Sequence, residues 1–186
     1  MALDKIKYAS LSKLLDNELL KEEDGPTQKI IKRLAHVKKD RELSRGEFLD
    51  LCYWKSPRSI RRCEKNSAKK VEEVSRKVLS TSSEKKRLEL LTSLNGVSIP
   101  TASAILALTD PRNYGVIDIR VWQLLLALNS VRGNPKGQNF TFKEWFHYLK
   151  ILRYHAKRLD TSVRLVELTL FKFHQDHQVG RLYGHR

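Results

Sequence analysis

Cysteine is scarce: Cys52 and Cys63 are the only two in 186 residues, and they lack CxxC spacing. That excludes a disulfide framework and a four-thiolate zinc or iron–sulfur site. Long apolar runs are missing too. A stretch such as Val121 to Leu128, interrupted by Gln123, falls well short of the ~18 residues that cross a bilayer, so no membrane span is expected. Met1 is followed by Ala-Leu-Asp-Lys and a charged amphipathic segment, with no apolar core ending in small residues. No secretory signal is read, and a reducing, intracellular setting is the expectation. Acidic residues are outnumbered, 21 Asp and Glu against 36 Lys and Arg, for a net charge of +15 and a pI near 9.9. Such a balance points to a polyanionic partner. The 40% hydrophobic content suffices for a core and argues against a disordered chain.

Strand alternation is nearly absent, and neither repeats nor low-complexity tracts are visible. Apolar residues instead recur at three and four spacing, which predicts an all-α protein of roughly nine or ten helices. Leu11, Leu14, Leu15, Glu18 and Leu19 outline a helix that stops near Gly25-Pro26; Ile30, Ile31, Leu34 and Val37 mark a second. Capping boxes are read at Ser44-Arg-Gly-Glu47, Thr81-Ser-Ser-Glu84 and Thr141-Phe-Lys-Glu144, where hydroxyl and carboxylate satisfy free amides at a helix start. Ser56-Pro57 opens a short helix or turn. Ser67 caps Val71 to Leu79, and Ser162 caps the last long helix, with Val166, Leu170 and Phe173 inward. Gly133-Asn-Pro-Lys-Gly137 is the clearest flexible loop, and the chain ends are expected to be mobile.

The informative stretch is Leu94-Asn-Gly-Val-Ser-Ile-Pro-Thr-Ala-Ser-Ala-Ile-Leu106. It joins two helices by a very short turn in which Gly96 permits positive φ. Several amides then converge beside a helix N-terminus, a geometry that binds phosphate. Asp118 lies eighteen residues after Pro100, in the segment Gly115-Val-Ile-Asp-Ile-Arg120. Asp118 is flanked there by Val116, Ile117, Ile119 and Val121, which draw it inward while its charge resists desolvation. Asp118 could cap the helix that follows, or it could stabilise positive charge developing on a sugar, or both.

Leu94, Gly96, Val97, Thr101 and Ala102 match Leu-Pro-Gly-Val-Gly-x-x-Thr-Ala, the hairpin of the helix-hairpin-helix DNA glycosylase superfamily, which this stretch resembles. Asn95 stands for the usual Pro and Ser98 for the second Gly. In that family an Asp follows the hairpin at the interval by which Asp118 follows Pro100, so the resemblance implies that Asp118 is the catalytic carboxylate. It implies phosphate contacts from Asn95, Gly96, Val97, Ser98 and Thr101, and a sodium or potassium ion on the Leu94 and Val97 carbonyls. It implies a two-lobed fold, with residues 25–112 as the hairpin lobe, 1–24 and 113–186 as the second, and Asp118 in the cleft between. Pro100 occupies the position where bifunctional members carry an amine, and no cysteine follows Cys63 to hold the family's iron–sulfur cluster. The implied protein is a monofunctional, cluster-free glycosylase, a monomer that flips a modified base out of double-stranded DNA and hydrolyses its bond to deoxyribose.

Outside the resemblance, Tyr53-Trp54-Lys55-Ser-Pro-Arg58-Ser-Ile-Arg61-Arg62 mixes aromatic and cationic residues. Arg58, Arg61 and Arg62 are read as phosphate contacts. Tyr53, Trp54 and Lys55 are read as a base-stacking platform, with a helix end in the core as the alternative. Arg120 and Tyr154 are further pocket candidates; His147 and His155 could line the cleft, while Trp122 reads as core. His174, His177 and His185 lack the regular spacing of a zinc site and read as a polar helix end. Lys69-Lys70, Arg76-Lys77 and Lys85-Lys86-Arg87 are dense enough to face DNA. The rival from another class is a non-catalytic helix-hairpin-helix protein that grips duplex or junction DNA, and no recognisable motif supports an RNA-binding module.

Overall fold

The computed structural model describes residues 2–3 and 6–180, with side chains from residue 6 onward. The fold is all-α: α1 (Leu11–Glu18), α2 (Gly25–Arg33), α3 (Val37–Asp40), α4 (Arg45–Lys55), α5 (Ile60–Cys63), α6 (Ala68–Ser80), α7 (Glu84–Thr92), α8 (Ile99–Thr109), α9 (Ile119–Ala127), α10 (Phe142–Arg158) and α11 (Val163–Asp176). Single 3₁₀ turns, Leu34–His36 and Pro57–Ser59, adjoin the one-turn helices α3 and α5. No described helix is long and apolar enough to cross a membrane.

Four of the expected caps form. Ser44 and Thr141 form complete capping boxes with Glu47 and Glu144, and Ser67 and Ser162 accept from the amides of Lys70 and Leu165. The box expected at Thr81 is a correction. Thr81 ends α6, and Ser83 caps α7 two residues later. With Ser83 as the N-cap, Glu84 is the first helical residue and not the third that a capping box needs, and its carboxylate meets Tyr114 and Arg153 instead, at 2.9 and 2.7 Å. Near the ends, β1 (Ala2–Leu3) and β2 (Gln178–Val179) pair antiparallel, Ala2 opposite Val179, while the mobility expected of the ends falls in part on residues 1, 4–5 and 181–186, outside the described residues.

Helix α8 has no polar stripe, and Thr101 through Leu108 are all buried. A helix apolar all round belongs in the middle of a core, and α4, α7 and α2 pack around it. Helix α11 has the same role at its end of the molecule, against α9, α10 and α1. Trp122, Trp145 and Tyr148 fill the space beside it and are fully buried. Cys52 and Cys63 are free, buried thiols, and burial pushes the Cys52 thiol pKa up.

His174, on α11, is 0% exposed, and neither ring nitrogen meets a partner on another described residue. Burial, reinforced by the Arg120 guanidinium and opposed by Asp118, lowers its pKa from 6.5 to about 4. Above pH 6.5 neither folded nor unfolded chain protonates this ring. Between pH 6.5 and about 4 the unfolded chain does and the folded chain does not, so stability falls with pH over that window and levels off below it. The loss attributable to this residue is about 3 kcal/mol. Urea unfolding of His174→Phe across that window should show a shallower acid decline than wild type; parallel curves would contradict the assignment.

Candidate functional site

Asp118 ends an extended segment, Gly115–Asp118, that buried side chains hold on both sides. Glu167 accepts the Val116 amide at 3.1 Å, and the Tyr148 hydroxyl donates to the Val116 carbonyl at 2.7 Å. Ser103 Oγ accepts the Ile117 amide at 3.0 Å and donates to the Pro100 carbonyl at 2.8 Å, which ties the segment to the first turn of α8. Gly115 is required by close approach. A Cβ there would lie 2.7 Å from Leu152 Cδ1 and 2.9 Å from Glu167 Cβ. Glu167 is itself buried and ion-paired to Arg164, whose remaining donors reach both oxygens of Glu23 at 2.7 and 3.0 Å. Burial raises the Glu167 pKa against the opposing pull of Arg164.

That frame delivers one carboxylate to the surface in a fixed pose. Asp118 Oδ1 accepts the amides of Arg120 (2.9 Å) and Val121 (3.2 Å) as the N-cap of α9. Asp118 Oδ2 lies 3.4 Å from Lys55 Nζ, at the end of α4, and both side chains are 16% exposed. The capping role is therefore realised, and it consumes only one of the two oxygens.

The hairpin adopts the expected turn. Gly96 has φ +79°, in the left-handed region, and the Val97 amide donates to the Leu94 carbonyl at 3.2 Å. Ser98 follows without strain, its φ of −94° and ψ of 171° being ordinary extended values. Among the described residues the amides of Gly96, Ser98 and Ile99 have no acceptor, and the Ser98 hydroxyl turns to Thr101 Oγ1 instead of capping α8. Uncapped amides at a helix N-terminus suit an anion. Asn66 clamps the turn from the side: it accepts the Asn95 amide at 2.9 Å and donates to the Asn95 carbonyl at 3.0 Å.

Two cavities meet at Asp118. A groove of about 780 Å³ runs between the hairpin (Thr92–Ser98, Pro100 and Thr101), the Arg58 and Arg62 side of α4–α5, and the Gly137–Phe140 loop. A second cavity of about 470 Å³ is walled by Trp54, Arg120, Phe171, Lys172 and the Asp24 cap of α2. Lys55, Asp118 and Ile119 line both. Trp54 is fixed in its wall by an indole hydrogen bond to Thr27 (3.2 Å) and by the Arg164 guanidinium 5.5 Å from its ring. Arg120 bonds Gln178 and lies 5.6 Å from the Phe171 ring.

Asp118, Lys55, Trp54, Arg120, Arg58, Arg62 and the hairpin thus come together around the two cavities. Tyr53 (60% exposed) and Arg61 are surface residues that line neither, and Tyr154 lines a separate groove with Leu11, His147 and His155. Part of the basic run is paired with acids: Arg76, itself exposed, with Glu42, and Arg87 with Glu84. No group of three metal-ligating side chains occurs among the described residues, and His185 lies outside them. Nothing in the sequence singles out Asn66, Ser103, Tyr148 and Glu167, because each acts through hydrogen bonds to backbone distant in the chain, which leave no periodic signature. Comparison with protein-family models, curated proteins and solved structures finds no match for this chain.

Gly96 carries a direct test of the hairpin geometry. A Cβ at this position would meet Cys63 Sγ at 2.7 Å and Cys63 N at 2.8 Å, besides the unfavourable φ. Gly96→Ala should cost about 2–4 kcal/mol of stability in urea unfolding. Gly25→Ala, where nothing lies within 4 Å of the added carbon, should be nearly neutral. Equal effects would contradict the packed turn.

Proposed function

We propose that the protein is a monofunctional DNA N-glycosylase that hydrolyses the bond between a modified base and deoxyribose in double-stranded DNA, leaving an abasic site. The observation that carries this reading is the position of Asp118, its second oxygen at the junction of a groove edged by free amides and a cavity walled by Trp54 and Phe171. In this reading the hairpin amides and Arg58, Arg62 and exposed Arg61 hold phosphates in or beside the groove. The extruded base enters the smaller cavity beside Trp54. Asp118 stabilises positive charge on the sugar as the base departs, or orients the water that attacks C1′. Cap bonds to Oδ1 fix the carboxylate so that little reorganisation is needed. Pro100, at the hairpin position where an amine would stand, leaves base release to water.

Residues 25–112 would form one lobe and 1–24 with 113–186 the other; the packing of α1 against α11 supports that grouping. A sodium or potassium ion on the Leu94 and Val97 carbonyls would bridge to phosphate, and the Leu94 carbonyl has one lone pair left after accepting from Val97. The protein would act inside the cell as a monomer, in repair or against modified foreign DNA, which present the same chemistry.

A second reading has its own observation: Asp118 is a fully formed helix cap. A non-catalytic duplex-binding protein would need it for nothing more. Asp118→Asn separates the two, since it keeps size and most capping ability. On a panel of duplexes carrying different lesions, scored by alkali cleavage at abasic sites, wild type should release at least one base and Asp118→Asn should lose that activity while still binding DNA. No release by wild type from any lesion would favour the binding protein. With ~6 phosphates neutralised, affinity in either case should fall about a thousandfold between low and moderate salt.

A further inference from the structure

We propose that the outer face of α10 is a docking surface for an acidic amphipathic helix of a partner protein. This surface shares no lining residue with either cavity at Asp118, and the proposal does not depend on what that site does.

Lys143, His147, Lys150, Tyr154 and Lys157 follow one another at alternating spacings of four and three, which places all of them on one stripe of α10. All are exposed. The acids near this helix are engaged elsewhere. Glu144 closes the capping box, Asp16 pairs with Arg158 at 2.7 Å, and Glu84 pairs with Arg153 at 2.7 Å. Among the described residues neither His147 nor any lysine of the stripe meets a carboxylate, and Lys150 lies 4.6 Å from the Phe146 ring instead. Lysines seven residues apart stand about 10.5 Å apart along a helix. Acids at every seventh residue of a second helix lying alongside repeat at the same interval.

Beside the stripe lies a groove of about 380 Å³ whose walls include Leu11 of α1, Ile151 and the buried His155. His147, Lys150 and Tyr154 of the stripe line it as well. Tyr154 is 64% exposed, yet its ring is steadied edge-to-face by His155 at 5.0 Å. A fixed, exposed aromatic beside an apolar wall and unpaired lysines fits a ligand that is apolar along one stripe and anionic next to it. Duplex phosphates supply the charge but no apolar group to fill the groove. A second copy pairing through this face brings the same cations against it. The chain's own residues 181–186 read Arg-Leu-Tyr-Gly-His-Arg, without an acid. An acidic amphipathic helix supplies both the charge and the apolar anchor.

The test uses the full chain and a fluorescein-labelled peptide of about three heptads, with Glu at every seventh position and Leu and Phe on the adjacent stripe. Wild type should bind it saturably at physiological salt, and the Leu11 and Ile151 methyl resonances should move while those of Val97 at the hairpin do not. A peptide with Lys in place of Glu should not bind. Serine in place of the Leu and Phe of the peptide, or Tyr154→Ser in the protein, should weaken binding about tenfold, and Lys150→Glu combined with Lys157→Glu should do so at least as much. These side chains are exposed, so urea unfolding of the variants should match wild type. Absence of saturable binding, or equal binding by the serine peptide, overturns the proposal. If the double lysine variant loses plain duplex DNA as steeply as it loses the peptide, the stripe belongs to DNA and the proposal fails. A wild-type dimer that Tyr154→Ser makes monomeric assigns the face to a second copy and overturns it as well.

Discussion

Everything in the site depends on a buried carboxylate and a buried hydroxyl gripping a few residues of extended backbone. Glu167 and Ser103 accept the successive amides of Val116 and Ile117. These donors have no helix or sheet to satisfy them, and leaving one buried and unpaired costs about 1–3 kcal/mol. Glu167 makes that grip from a dry setting, and Arg164 is ion-paired to it there. Glu23 then accepts from the Nε and Nη2 of the Arg164 fork. Removing one member of such a network exposes the desolvation cost of the others, so Gly115–Asp118 is held by a set that stands or falls together.

Ser103 makes this constraint reach the hairpin. Its hydroxyl receives from the segment that carries Asp118 and donates to Pro100 in the first turn of α8. The turn is fixed on its other side by Asn66, and Gly96 packs against Cys63 with no room for a side chain. The free amides of the hairpin and the carboxylate on α9 are therefore parts of one rigid arrangement. A ligand clamped by the first is presented to the second at a set distance, which is the kind of positioning that accelerates a reaction between held groups.

The helical class and most helix starts were legible in the sequence because they are local: a hydroxyl three residues before a carboxylate, or an apolar stripe at helical spacing. Thr81 shows where locality fails. The motif was complete, but the helix starts at Glu84 with Ser83 as its cap, and the Glu84 carboxylate turns to Tyr114 and Arg153. Asp118, Gly96 and Lys55 could be singled out because an uncommon residue type stood in a revealing neighbourhood. Tyr154 could not be placed, since an aromatic on an amphipathic helix fits a cleft as well as an outer groove. The supporting residues were invisible for a deeper reason. Glu167 lies 51 residues from the amide it holds, and Ser103 14 from its own. Nothing in either neighbourhood distinguishes a buried anchor from a solvated polar side chain.

The central claim is that the hairpin and Asp118 act on one and the same stretch of DNA strand. Its most direct test is a crystal structure of the protein with a duplex containing a stable tetrahydrofuran abasic analogue. The account predicts a phosphate on the Gly96 and Ser98 amides and the analogue's sugar turned into the junction of the two cavities, with C1′ facing the Asp118 carboxylate. DNA bound on another face, with Asp118 remote from any sugar, would contradict it.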